Sequence, residues 1–190
     1  MGLRPAHTCR SLGKVPWARF SKKKPRKNFI KAMPHSSVQI FVMGNAQGNY
    51  DVRLDLVADE DVQIRDNSLE SARQAINKYL EKNLPGVYFL RVNVFPHNVI
   101  RENKMILGAG ADRLQKGMRL SYGRPMDRGA RVHAGSSIYT MFINSKSRKF
   151  ADEAYRRAKL KLPGFFTVKI IPVKATVSPV KSSVSPVNAN

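Results

Sequence analysis

Residues 38–56 read VQIFVMGNAQGNYDVRLDL, two alternating runs around a polar, glycine-containing turn. Val38, Ile40 and Val42 alternate with Gln39, Phe41 and Met43, the period of a half-buried strand. Residues 44–49 supply turn chemistry, and Tyr50, Val52, Leu54 and Leu56 then alternate with Asp51, Arg53 and Asp55. The folded body is therefore expected to begin at Val38 with a hairpin of two half-buried strands.

C-terminal to this stretch, Asn67 is placed to cap a helix, with Glu70 three residues on at capping-box spacing. Leu69, Ala72, Ile76, Tyr79 and Leu80 make one apolar stripe, and Leu84-Pro85-Gly86 ends it. Val87 to Phe95, β-branched and aromatic-rich, predicts a buried strand that stops at Pro96. Ile138 to Ile143 predicts another strand. Phe150, Ala151, Ala154, Ala158 and Leu162 mark a second helix ended by Pro163-Gly164, and Phe165 to Ile171 a closing strand before Pro172. The order β-β-α-β, long loop, β-α-β is not strict alternation. It predicts an α+β protein: a single-domain α/β sandwich with a mixed or mainly antiparallel sheet and two main helices packed on one side.

The 190 residues are enough for one domain with a real core, and the 42% hydrophobic share is that of a globular chain. Charge is the unusual quantity: 34 Lys+Arg against 13 Asp+Glu, formally +21. Such a field favours polyanions, nucleic acid before an anionic membrane surface. Its distribution is sharper still, because no acidic residue precedes Asp51 and none follows Glu153. Arg4, Arg10, Lys14, Arg19, Lys22, Lys23, Lys24, Arg26, Lys27 and Lys31 lie in the first segment, among Pro5, Pro16, Pro25 and Pro34. Residues 1–37 are thus read as a basic extended arm that orders on RNA, ahead of a solvated tail or a transit peptide. Residues 38–172 form the domain. Residues 173–190, where ValSerProVal occurs twice, read as a flexible tail.

One cysteine, Cys9, excludes an internal disulfide and a multi-cysteine zinc site. No apolar run reaches the roughly 20 residues of a membrane span, and no apolar region follows the basic start as a secretory signal requires. Position six is Ala6, so the myristoylation pattern is unmet. The chain reads as cytosolic. His7, His35, His97 and His133 are scattered in sequence and read as satisfied or solvated side chains rather than metal ligands. Asp59-Glu60-Asp61 suggests a magnesium site, but acidic residues favoured before a helix N-terminus are the simpler account.

The stretch that carries chemistry is residues 101–131, RENKMILGAGADRLQKGMRLSYGRPMDRGAR. It keeps no sustained period and is far longer than an ordinary connection, so it is expected to be a functional loop. Glycines allow close backbone approach, and Arg101, Lys104, Arg113, Lys116, Arg119, Arg124, Arg128 and Arg131 supply cations. Guanidinium groups clamp phosphate and stack on bases, which suits folded RNA. Arg156 and Arg157, at a helix C-terminus that they suit electrostatically, are further candidate phosphate contacts.

The run IRENKM, then GAGADRLQKGMR, GRP and ARVHAG, closely resembles the archaeal and eukaryotic branch of a universal ribosomal protein family, L-ten-e, whose bacterial counterpart is L-sixteen. The opening MGLRPA, SLESARQAINKYLEKN in the first helix and EAYRRAKLKLPG in the second resemble the same family, so the likeness covers all but the tail. It implies a non-enzymatic structural component of the large ribosomal subunit, with an α+β sandwich fold. Such a component binds large-subunit rRNA near the transfer RNA aminoacyl and peptidyl sites. It has neighbouring large-subunit proteins as partners and is present in one copy per ribosome in the cytoplasm. No cofactor is implied beyond Mg2+ ions associated with rRNA. Arg113, Lys116 and Arg119 fall on motif positions of a loop that points toward the peptidyl transferase centre, and Arg101, Lys104, Arg124 and Arg131 on basic positions at its roots. The Val/Ser/Pro tail departs from the longer folded extension of eukaryotic members and places the chain nearer the archaeal type. SKKKPRK at 21–27 is more basic than the family pattern.

Two other classes compete. An RNA-modifying enzyme needs a nucleophile, a base in a cleft or a cofactor loop, and neither GxGxxG nor paired carboxylates stand out. A peripheral membrane binder needs a basic helix with a free apolar face, and both helices need theirs for the core.

Overall fold

The computed structural model of the chain describes Arg10, Leu12, Ile30 and residues 33–103 and 123–173. Its strands are β1 (Val42–Gly44), β2 (Val52–Ala58), β3 (Val62–Arg65), β4 (Phe89–Val92), β5 (Asn98–Glu102), β6 (Arg124–Val132), β7 (Ser137–Ile143) and β8 (Phe166–Pro172). Helix α1 spans Asp66–Asn83, and α2 spans Arg148–Lys159 behind a single 3-10 turn, Ser145–Ser147. One sheet has the order β1-β4-β7-β2-β8 and a second the order β3-β6-β5, with every pairing antiparallel. The α+β architecture is as expected, with two sheets rather than one.

Alternation decides which face is covered. Leu54, Leu56, Leu90, Val92, Tyr139, Met141 and Ile143 share one face of the larger sheet and join the core with Leu69, Ala72, Ile76 and Leu80 of α1. Helix α2 presents Ala151, Ala154 and Ala158, whose small side chains admit close packing, and buries Tyr155 among them. Two phenols tie helices to the sheet: Tyr139 donates to the Leu69 carbonyl at 2.7 Å, and Tyr155 to the Leu54 carbonyl at 2.8 Å. Tyr155 is a core residue that the alanine-based stripe did not include.

Several local expectations are corrected. The opening strands do not form a hairpin: β1 pairs with β4, while β2 lies between β7 and β8. Regular pairing also starts only at Val42, although Val38 is buried. The capping box is absent. Asp66 opens α1 behind Arg65, its carboxylate accepts from the Asn67 and Ser37 amides at 2.8 Å, and Glu70 turns to Arg73 and Gln74 instead. The expected strand 87–95 is regular only over Phe89–Val92. Strand β3 was not expected, because all four of its residues are buried and it runs into α1 with no turn residue between. It also separates Asp59-Glu60-Asp61 from the helix. These residues form the β2–β3 connection, where Asp59 accepts from Thr167 and Asp61 from the Ala134 amide, both at 2.8 Å.

The aperiodic stretch 101–131 is the largest correction. Its two ends are strands, β5 and β6, and β6 was illegible because Arg, Gly and Pro give it low strand propensity. Pairing on both sides holds it extended, with Gly129 against the Gln63 and Ile100 side chains, where an added Cβ would sit 3.2 Å from each. The tail from 174 onward, and all of residues 1–37 except Arg10, Leu12, Ile30 and 33–37, lie outside the described residues.

Candidate nucleic-acid interface

The three-stranded sheet gathers the described cations of the basic stretch. Register sets Gln63 opposite Arg131, Asn98 opposite Gly129, Arg101 opposite Pro125 and Glu102 opposite Arg124, with an irregularity between Ile100 and Arg101. The Glu102–Arg124 pair closes the hairpin at the mouth of residues 104–122. Gly123 makes that closure possible: its φ is +74°, and an added Cβ would lie 2.8 Å from the Glu102 carbonyl carbon.

The arginines differ in environment. Arg101 is 7% exposed, whereas Arg124 is exposed at the start of β6. Arg128 donates from Nε to the Pro34 carbonyl at 2.5 Å, so it holds residues 33–37 against the body. Burial pushes the Arg131 guanidinium down from its ordinary pKa. Below them, Arg65 pairs with Asp127 at 3.2 Å, and Asn98 donates to Gln63 at 2.8 Å. The N-terminal segment also touches this sheet, because the Gln63 amide donates to the Arg10 carbonyl at 2.7 Å. Arg10 itself is exposed.

Arg156 and Arg157 lie elsewhere, on α2, and both bond Glu153, at 2.7 and 2.9 Å. Those two guanidiniums lower the Glu153 carboxyl to about 2. Arg157 also lies over the Tyr79 ring, 4.3 Å from its centroid. Both arginines stay largely exposed. The other candidates, Arg4, Arg19, Lys22, Lys23, Lys24, Arg26, Lys27, Lys104, Arg113, Lys116 and Arg119, lie outside the described residues.

Among the described residues no group of three or more His, Cys, Asp or Glu side chains could hold a metal ion. His133, which has no acidic neighbour in sequence, does meet one in space: its Nδ1 is 3.4 Å from Asp61. The Ala134 amide and then His133 hold the Asp61 carboxyl below the usual aspartate range. No described helix is long and apolar enough to cross a membrane.

Residues 18–170, which include both helices, the three-stranded sheet, the five-stranded sheet up to Ile170 of β8 and the whole basic stretch, match the family described as Ribosomal protein L16p/L10e. The chain belongs to this family. Its relatives include the large ribosomal subunit protein uL16 of Thermofilum pendens, 45% identical over 164 residues, 86% of this chain and 94% of that one. The uL16 of Hyperthermus butylicus is 44% identical over 150 residues, 78% of this chain and 83% of that one. That of Archaeoglobus fulgidus is 42% identical over 148 residues, 77% and 85% of the two chains. The L16p/L10e family is one of ribosomal structural proteins and not of enzymes, which removes the RNA-modifying reading.

Sequence reasoning missed Arg65, Asp127 and Asn98, the polar residues that brace the arginine-bearing sheet. Only a period-2 signal in β3, β5 and β6 would reveal them, and burial on both faces of β3 and of most of β5 erases it.

Proposed function

We propose that the chain is a structural constituent of the large ribosomal subunit in the cytoplasm, and that it binds large-subunit rRNA near the transfer RNA sites. The observation that carries this reading is the β5–β6 hairpin. Its Glu102–Arg124 closure brings the two ends of the segment with GAGADRLQKGMR side by side, in a family whose relatives bear the name uL16. On this reading residues 104–122 reach toward the peptidyl transferase centre, with Arg113, Lys116 and Arg119 as the contacting cations. Arg101 and Arg131, set in a packed sheet, support the base of that reach, while Arg124 meets phosphate directly.

The division of labour follows the charge. The acid-free residues 1–37 act as an anchoring arm, residues 38–172 as the body and residues 173–190 as a tail. Neutralising phosphate with arginine and lysine releases condensed counterions, so affinity is dominated by sequence-independent contacts. Neighbouring large-subunit proteins complete the surroundings, one copy serves each ribosome, and metal enters only as Mg2+ ions of the rRNA.

The test is the salt dependence of binding to large-subunit rRNA. A logarithmic slope of several units is expected, about 0.7–0.9 for each phosphate neutralised. A flat response contradicts phosphate-dominated binding.

A further inference from the structure

The face of the five-stranded sheet turned away from the helices carries a pattern that the β5–β6 arginines do not account for. Register lays two rows across its strands. One runs Phe89, Phe142, Arg53, Ile171 and the next Arg91, Thr140, Asp55, Lys169. Neighbours in a row stand about 5 Å apart. The Phe89 and Phe142 rings lie 5.6 Å apart at 36°, and Tyr50 adds a third ring 6.5 Å from Phe142. Asp55, the one carboxylate in the two rows, is 5% exposed. It is also occupied: it accepts from Arg53 Nε at 2.9 Å and from Thr140 Oγ1 at 2.7 Å. Arg91 and Lys169 are exposed, and among the described residues neither has a carboxylate in ion-pair reach.

We propose that this sheet face is a second RNA-docking surface, on which unstacked bases lie against the Phe89–Phe142 rings while Arg91 and Lys169 take flanking phosphates. Aromatic faces beside uncompensated cations are what single-stranded RNA needs, because every base offers a π-face and every linkage a charge. An acidic peptide strand would dock on a sheet edge, where main-chain groups are open, rather than on a face. Rings that merely brace the sheet would need no cations next to them. The inference rests on the reading of the chain as an rRNA-binding protein.

The full-length chain, titrated with large-subunit rRNA over a range of salt concentrations, tests it. Replacing Arg91→Gln with Lys169→Gln touches only exposed side chains and is expected to keep the melting temperature. It should lower the salt slope by about one and a half. Replacing Phe89→Leu with Phe142→Leu should weaken binding about ten-fold or more with the slope kept. If the wild type binds and the folded variants match it in both affinity and slope, the sheet proposal is overturned and the rRNA-binding reading stands. If the wild type itself shows no salt-dependent binding, that underlying reading falls first. Variants that bind RNA normally but fail to enter subunits would give the face to a protein partner, which also overturns the proposal.

Discussion

Arg65 and Asp127 form an ion pair, 3.2 Å between Nη2 and Oδ2, that ties the strand feeding α1 to the strand returning from the 104–122 segment. The Arg65 side chain is 6% exposed and that of Asp127 21%. Removing the carboxylate with Asp127→Ala should cost about 2–3 kcal/mol, below the range for a fully buried pair because Asp127 keeps some solvent contact. Asp127→Asn, which retains a hydrogen-bond acceptor, should cost less. Urea denaturation of both variants measures this, and a loss under about half a kcal/mol in Asp127→Ala would show that the pair does not brace the sheet.

Tyr139 is fully buried and its hydroxyl reaches the Leu69 carbonyl. Burial pushes that phenol far above its ordinary pKa, so it stays a neutral donor throughout the physiological range. Tyr139→Phe removes one hydrogen bond and should cost about 1 kcal/mol. Tyr139→Ala empties the position between sheet and helix and should cost about 3–5 kcal/mol. Equal losses in the two variants would contradict this division between hydroxyl and ring.

Acid stability should depend on Glu70. The hydrogen-bonded Arg73 guanidinium holds its carboxyl below the ordinary value of 4.5. The folded-state pKa therefore lies under the unfolded one, so the pair stabilises fully above about pH 4.5 and its contribution is lost as pH falls through the folded value. Glu70→Gln should be less stable than wild type at neutral pH by about 1.5 kcal/mol, and the gap should close in strong acid. Thermal melts from pH 2 to 7 decide it; a gap that persists at the acid end would mean the charge is not what Glu70 contributes.

How much of this was legible in the sequence follows from burial and pairing. Leu69, Ala72, Ile76 and Leu80 bury one face of a long helix, so their period survives in the chain and reports α1 faithfully. The β7 and β8 strands are likewise readable, displaced by a residue at most. Strand β6 is readable only through its partners: Gly129 and Pro125 weaken it locally, while β3 and β5 hold it on both sides. The pairing of β2 with β7 and β8 is a contact between segments far apart in sequence, and no turn chemistry announces it. The apparent hairpin at 38–56 misleads for the same reason. At the candidate interface, the arginines were visible as residue types. Which of them are packed, like Arg101, and which are open, like Arg124, depends on a sheet that composition conceals.

On the proposed reading, this chain is built into the large ribosomal subunit through its cationic ends and the segment that leaves the body between Glu102 and Arg124. Sedimentation of subunits after a high-salt wash, with the chain detected in each fraction, decides whether it is. The wild type should remain with large subunits. The variant with Arg113, Lys116 and Arg119 all replaced by Gln should fold normally yet give diminished polysomes. A wild-type chain found only in the ribosome-free fractions would show that it is not a subunit constituent.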